Sequence, residues 1–128
     1  MSSLDNGIGW GKGGVDSGTF PFMTGLIVVA EEDKRRALRK LLREENVSNA
    51  LIFCNRKVDV DILYKSLTRH RFSVGALHGD MAQSVRFQTL EKFKANELRL
   101  LVCSDVAARG IDIGGLSHVF NFDVPHHA

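Results

Sequence analysis

The sequence has little of several things, and each scarcity excludes a class of protein. Its two cysteines, Cys54 and Cys103, are too few for a disulfide framework or a cysteine-rich metal site, which favours a reducing compartment and predicts a cytoplasmic protein. No apolar run approaches the length that spans a bilayer, and the N-terminus lacks the charged-then-apolar pattern of a signal peptide, so we expect no membrane partner. A formal net charge of +2 is too small to indicate a nucleic-acid-binding protein by itself, so any contact with a polyanion must depend on local clusters of charge.

The composition changes near residue 20. Residues 1–20 hold six of the twelve glycines and show no apolar period, which predicts a flexible Gly-rich leader, native or vector-derived. Within it, GWGKGG (Gly9 to Gly14) resembles a phosphate-binding loop, but no apolar strand precedes it and no Gly-Lys-Ser/Thr ends it, so a linker is the better interpretation. Residues 21–128 are enough for one domain with its own core.

From residue 25 onward, short apolar runs alternate with stretches of helical period. Strands alternating with helices of this length predict an α/β fold, a single domain whose mostly parallel sheet of about five strands has helices on both faces. The predicted strands are Leu26–Ala30, Ala50–Cys54, Ser73–Leu77, Leu98–Cys103 and Ser117–Phe122, and the predicted helices comprise Glu31–Glu45, a stripe of Val60, Leu63, Tyr64 and Leu67, and a stripe of Phe87, Leu90 and Phe93.

Polar side chains stand just past four of these strands. The carboxyl ends of parallel strands share one edge of a sheet, where ligands of open α/β folds bind. Helix N-termini with unpaired N–H groups at such an edge suit an anionic ligand such as a phosphate chain. The clusters are Asn55-Arg56-Lys57, His78-Gly79-Asp80, Ser104-Asp105 and Asp123.

The start of the third helix admits two interpretations. Gln83 and Arg86 lie three residues apart in its first turn, so both project from one side of the N-terminus and could hold a phosphate. Alternatively Asp80 and Gln83 form a capping box, and Arg86 is a solvated surface cation. Spacing leaves the alternatives open.

Two further positions carry a structural explanation beside a functional one. His78 ends an apolar strand without a nucleophile and base nearby, so a hydrogen-bonded structural role is favoured, and Gly79 fits a turn or a close backbone approach. In the segment from Arg109 to Asp112, Gly110 permits close approach to a ligand and Asp112 can accept from a sugar hydroxyl, but an Arg109–Asp112 ion pair explains the same spacing.

Four segments together resemble the C-terminal helicase domain, the second RecA-like lobe, of DEAD-box ATP-dependent RNA helicases. The resemblance runs from about Leu26 to the end and depends on the order of the motifs rather than on any one of them. The matching segments are LIFCN (Leu51 to Asn55), HGDMAQSVR (His78 to Arg86), SDVAARGID (Ser104 to Asp112) and VFNFDVP (Val119 to Pro125).

The resemblance implies a role for each matching residue. One group would face the RNA sugar–phosphate backbone: Asn55, Arg56, Gly79, Gln83, Arg86 and Ser104, where family members usually carry Thr in place of Ser104. Gly110 and Asp112 would approach the ATP phosphates and ribose, while Asp80, Asp105 and Arg109 would support the motif loops. The implied partners are single-stranded or duplex RNA and an N-terminal RecA-like lobe, with ATP and Mg²⁺ as ligands of the intact helicase. An exposed interlobe surface would also allow self-association.

Several family motifs do not occur in these 128 residues. There is no G-x-x-x-x-G-K-[ST], no Asp-Glu-Ala-Asp, and no H-R-x-G-R-x-x-R segment, which in the family supplies transition-state arginines. The H-R-x-G-R-x-x-R segment is motif VI of the family, and we therefore expect a lobe truncated before it. Such a lobe would have no catalytic residues of its own, no tight nucleotide binding and no ATP turnover. The alternatives are a stand-alone RNA-binding or protein-interaction module, and an unrelated α/β enzyme that uses Cys54 or His78.

Overall fold

The computed structural model describes residues 6–12, 25–30, 33–45, 47–104 and 116–125. None of the helices in these ranges is long and apolar enough to cross a membrane. The strands are β1 (Asn6–Lys12), β2 (Gly25–Val28), β3 (Ala50–Cys54), β4 (Val74–Leu77), β5 (Leu100–Ser104) and β6 (His118–Pro125), and the helices are α1 (Lys34–Glu44), α2 (Lys57–Arg69) and α3 (Gln83–Lys94).

These strands form one mixed sheet in the order β2-β1-β6-β3-β5-β4. Strands β6, β3, β5 and β4 are parallel to one another, whereas β1 is antiparallel to both of its neighbours, β2 and β6. The five strands expected from the sequence therefore all run in one direction, and a sixth, β1, runs against them. The predicted α/β fold is confirmed.

Each face of the sheet carries its own apolar core. On one face, α1 and α2 pack through the leucine and valine stripes read from the sequence, including Leu38, Leu42 and Leu63. On the other face, α3 packs mainly through its carboxyl half, where Phe93 is buried and Leu90 is partly buried. Phe87, expected on the same stripe, is 63% exposed. The expected apolar face of α3 is therefore wrong at its amino end.

Strand β1 lies inside the stretch that the glycine content predicted to be a flexible leader, so for Asn6–Lys12 that expectation is wrong. The strand pairs through its backbone with β2 and with β6, and the register against β6 shifts between Gly7 and Gly9. Trp10 packs against the first core cluster, and its ring occupies the space where a side chain at Gly25 would lie. Backbone pairing, the buried side chain of Ile8 and this aromatic contact together hold the strand in the sheet.

A buried ion pair joins α1 to the far end of the chain. Lys34 Nζ lies 3.0 Å from Asp123 Oδ1, and the two side chains are only 1% and 13% exposed. The same ammonium lies 4.4 Å from the centre of the Phe122 ring, and the second carboxylate oxygen of Asp123 accepts from the backbone N–H of Asn55 at 2.9 Å. Asp123 thus links α1, the end of β6 and the loop that follows β3.

Removing the Asp123 carboxylate tests how much the ion pair with Lys34 stabilises the fold. We expect Asp123→Asn to lower the free energy of unfolding by about 3 kcal/mol, because it leaves a buried ammonium without a counter-charge. Urea unfolding followed by circular dichroism measures the change.

The control is Glu44→Gln, which removes a carboxylate from the exposed Lys40–Glu44 pair, 3.9 Å apart. It should change the free energy of unfolding by less than about 0.5 kcal/mol. Equal small effects of both substitutions would contradict the assigned importance of Asp123.

Candidate functional site

The parallel register brings the carboxyl ends of four strands to one edge of the sheet. Cys54 pairs with Ser104, Leu77 pairs with Cys103, and Phe53 pairs with Asn121. The described polar residues at these strand ends, Asn55, His78, Ser104 and Asp123, therefore lie along one edge of the sheet.

The turn between β4 and α3 is tied to α2 by two side-chain contacts. Lys57 Nζ lies 2.7 Å from Asp80 Oδ2, and His78 Nε2 lies 3.3 Å from Asp61 Oδ1. His78 Nδ1 accepts from the backbone N–H of Asp80 at 3.3 Å, which leaves Nε2 as the ring nitrogen that faces Asp61. The backbone N–H of Met81 donates to the His78 carbonyl and closes the turn. This arrangement fits the structural role favoured for His78.

The capping-box interpretation of Asp80 and Gln83 is wrong. Helix α3 begins at Gln83 with Ala82 as its N-cap, and no side chain caps it. Asp80 lies too far from the helix start and its carboxylate is engaged by Lys57. The Gln83 side chain is exposed, so its amide group and the first N–H groups of α3 remain available at the edge.

The two arginines expected at the edge have different surroundings. Arg56 is held by Asp59, with Nε and Nη2 at 3.0 Å and 3.2 Å from its carboxylate oxygens. Arg86 is half-buried, and its Nε is shielded from solvent without a hydrogen-bond partner in the part of the chain that the structure describes. A buried N–H without an acceptor costs free energy, so Arg86 Nε has an unused capacity to donate a hydrogen bond.

Gly79 and Ser104 also differ from each other. A Cβ built on Gly79 would meet no atom within 4 Å, so nothing in the described protein requires glycine at that turn. Ser104 ends β5 and is 7% exposed, which makes it the most buried of the residues expected to contact RNA.

The expected residues Asp105, Arg109, Gly110 and Asp112 lie outside the described residues, as does the alternative ion pair between Arg109 and Asp112. Across the described ranges, no group of three or more His, Cys, Asp or Glu side chains could hold a metal ion.

Both cysteines are buried, and neither forms a disulfide. Burial raises the pKa of Cys103 to about 12. Burial also raises the pKa of Cys54, and the nearby Asp123 carboxylate adds to the effect. The thiolate form is therefore disfavoured at both positions, which argues against the alternative of a thiol-dependent enzyme.

Sequence reasoning missed the residues that support the edge from a distance. Lys34 lies in the first turn of α1, where the helix dipole disfavours a cation. A cation at this unfavourable position was the one indication in the sequence that Lys34 has a buried counter-charge. Lys57 contacts Asp80, 23 positions away, and Asp61 contacts His78, 17 positions away. No helical or strand period predicts contacts at these separations.

Comparison with known proteins identifies the domain. A family model described as "Helicase conserved C-terminal domain" matches residues 33–128. The chain belongs to this family. Among its relatives, the ATP-dependent RNA helicase RhlB of Pseudomonas aeruginosa is 41% identical over 97 residues, which are 76% of this chain and 24% of the relative. The DEAD-box ATP-dependent RNA helicase CshA of Bacillus subtilis is 41% identical over 97 residues, 76% of this chain and 20% of that protein.

Solved structures of DEAD-box proteins share the fold of this helicase domain. E. coli SrmB bound to the regulator of ribonuclease activity A (RraA) matches with a TM-score of 0.68 and 35% identity, covering 73% of this chain and 55% of that one. S. cerevisiae Dbp5 bound to RNA and ADP BeF3 matches with a TM-score of 0.65 and 31% identity, covering 77% of this chain and 25% of that one. The domain is a DEAD-box C-terminal domain with a RecA-like fold, and it spans less than a quarter of the curated relatives named above.

The Lys57–Asp80 contact of the helicase domain makes a testable electrostatic prediction. The hydrogen bond from Lys57, reinforced by its charge, holds the pKa of Asp80 below its ordinary value of 3.8. The small stabilisation that follows is present above that value and is lost as the pH falls through the lowered pKa. A side-chain NMR titration should show this low midpoint.

Lys57→Met should raise the Asp80 midpoint toward its ordinary value. Lys65→Met removes the same charge farther along α2 and should leave it in place. An unchanged Asp80 midpoint in Lys57→Met would disprove the contact.

Proposed function

We propose that this helicase domain acts as the second lobe of an ATP-dependent RNA helicase and that its strand-end edge contacts the sugar–phosphate backbone of RNA. The contacting residues are those that the family motifs suggest: Asn55, Arg56, Gly79, Gln83, Arg86 and Ser104. Contacts to phosphates and sugars position a protein on RNA without reading base identity, so binding is independent of sequence.

The observation that carries the proposal is the environment of Arg86. Its shielded Nε has no acceptor among the described residues, and it stands in the first turn of α3, where uncapped N–H groups also favour an anion. A phosphate oxygen at the start of α3 would accept from the helix N–H groups, and from Arg86 Nε once the atoms that shield it move aside. The open space beside Gly79, in the turn that leads to this helix, would let a backbone approach closely.

The nucleotide side of the proposal depends on Gly110 and Asp112, which the family resemblance assigns to the ATP phosphates and ribose. The relatives are named as ATP-dependent helicases, and the similar Dbp5 structure is described as bound to RNA and ADP BeF3. In such an enzyme water attacks the terminal phosphorus in line, assisted by Mg²⁺. An N-terminal RecA-like lobe would supply the phosphate-binding loop. We also propose a cytoplasmic location for the assembled protein.

The binding edge can be tested with labelled single-stranded RNA. Arg86→Ala should weaken binding at least about tenfold and lower the salt slope by about 0.7, as expected for one lost phosphate contact. Gly79→Ala should also weaken binding while leaving the unfolding midpoint unchanged, because its Cβ enters open space. Fluorescence anisotropy at several salt concentrations measures both effects.

The matched control is Lys92→Ala, which removes one exposed charge from the other end of α3 and should leave RNA affinity within about twofold. Arg86→Lys retains the charge but loses the planar fork, and should restore only part of the affinity. Equal RNA binding by Arg86→Ala and the unchanged chain would refute the edge.

A second test concerns catalysis. The 128 residues contain neither a Walker-type loop nor an H-R-x-G-R segment, so a highly purified sample should show no RNA-stimulated ATP hydrolysis above buffer. A phosphate-release assay with and without RNA measures this directly. RNA binding without turnover is also what a stand-alone binding module would show, whereas steady turnover would contradict the expectation that ATP hydrolysis needs the motifs missing from these residues.

A further inference from the structure

A strongly basic groove lies between α1 and α2, away from the strand ends. Its volume is about 510 Å³, and its described lining includes five cations and no carboxylate. For a chain with a net charge of +2, this is a pronounced local concentration of positive charge. The five cations are Arg35, Arg36 and Arg39 from α1, with Lys65 and Arg69 from α2.

The cations form two rows that face each other. Arg35 and Arg39 are one helical turn apart, as are Lys65 and Arg69, which gives a repeat of about 6 Å along each helix. Arg39 lies at the base of the groove, where its Nη1 donates to Ser66 Oγ at 3.1 Å. Burial lowers the pKa of Arg39, and repulsion from Arg43 and the neighbouring arginines of α1 lowers it further.

Few carboxylates offset this charge. The ion pair that the structure describes for the groove cations joins Arg36 to Asp33 at 2.8 Å, and both side chains are well exposed, so it contributes little. Like charges held together without counter-ions destabilise a fold. Among the described residues, the arrangement of these charges therefore contributes little to the stability of the domain.

A chain of contacts connects the groove to the proposed RNA edge. Arg35 follows Lys34, whose ammonium contacts Asp123, and Asp123 in turn accepts from the backbone N–H of Asn55. One end of the groove is thus linked through two contacts to a residue of the edge. On α2, Arg56 and Lys57 stand at the edge and Lys65 and Arg69 lie farther along the same helix.

We propose that the groove is a second phosphate-binding track, which holds single-stranded RNA that extends beyond the strand-end edge. The inference rests on the proposed function, since it requires RNA at that edge. Arginine forks suit phosphate oxygens, and the described lining residues of the groove include no Phe, Tyr or Trp ring for base stacking. Binding in the groove is therefore independent of base identity and sensitive to salt.

The experiment compares two oligouridylates, of about 8 and about 24 nucleotides, by fluorescence anisotropy over a range of salt concentrations. The test variant is Lys65→Ala/Arg69→Ala, which keeps good helix formers on an exposed surface of α2. The control is Lys92→Ala/Lys94→Ala, which removes the same charge from α3 on the opposite face. Thermal unfolding verifies that both variants fold.

The groove variant should bind the long strand about tenfold more weakly and lower its salt slope by about 1.4, while its affinity for the short strand stays unchanged. The control should change neither. Equal affinity of the groove variant and the unchanged chain for the long strand would overturn the proposal, and so would an equal loss for both lengths or an equal loss in the control.

Two other outcomes have separate meanings. If the unchanged chain fails to bind the short strand, the proposed edge is wrong, and the track, as an extension of that edge, is wrong with it. If the groove variant keeps its RNA affinity but loses binding to polyglutamate, the groove is a site for an acidic protein segment, and the RNA track is wrong.

Discussion

The position of the strand-end edge depends on the buried contact between Lys34 and Asp123. A charge with 1% exposure is stable only beside a counter-charge, so the end of β6 must lie against the start of α1. The same carboxylate fixes the backbone at Asn55, where the edge begins. One side chain therefore aligns a helix, a strand and a loop that are distant in sequence, and the groove and the edge inherit their relative placement from it.

The regular part of the fold was predictable because burial imposes a period on the sequence. The apolar runs that became β3 and β5 are buried on both faces, and Leu38 and Leu63 report helical faces directly. The leader strand β1 was missed, because its apolar pattern is only two residues long, Ile8 and Trp10, and its pairing with β6 is made by backbone groups. Phe87 fits a helical stripe by spacing, but α3 packs on the sheet only through its carboxyl half, so Phe87 stays exposed.

The site was predictable in its location and less so in its connections. Parallel strand topology alone placed Asn55, Gly79 and Ser104 at one edge. The contacts that shape that edge involve residues from other elements, such as the ion pair between Lys57 and Asp80. For Asp80, local spacing suggested a helix cap instead, which the structure does not have. Family resemblance supplied the roles, while the structure supplied the shielded Arg86 Nε that gives one of those roles a physical basis.

The placement of Trp10 has an experimental consequence. It is the only tryptophan in the chain, and it lies in β1, partly buried against Gly25 and the first core cluster. Its emission spectrum therefore reports on the docking of one glycine-rich strand against the sheet, with no second indole to obscure the signal. The protein therefore has an intrinsic fluorescent probe in β1, the strand that its glycine-rich composition did not predict.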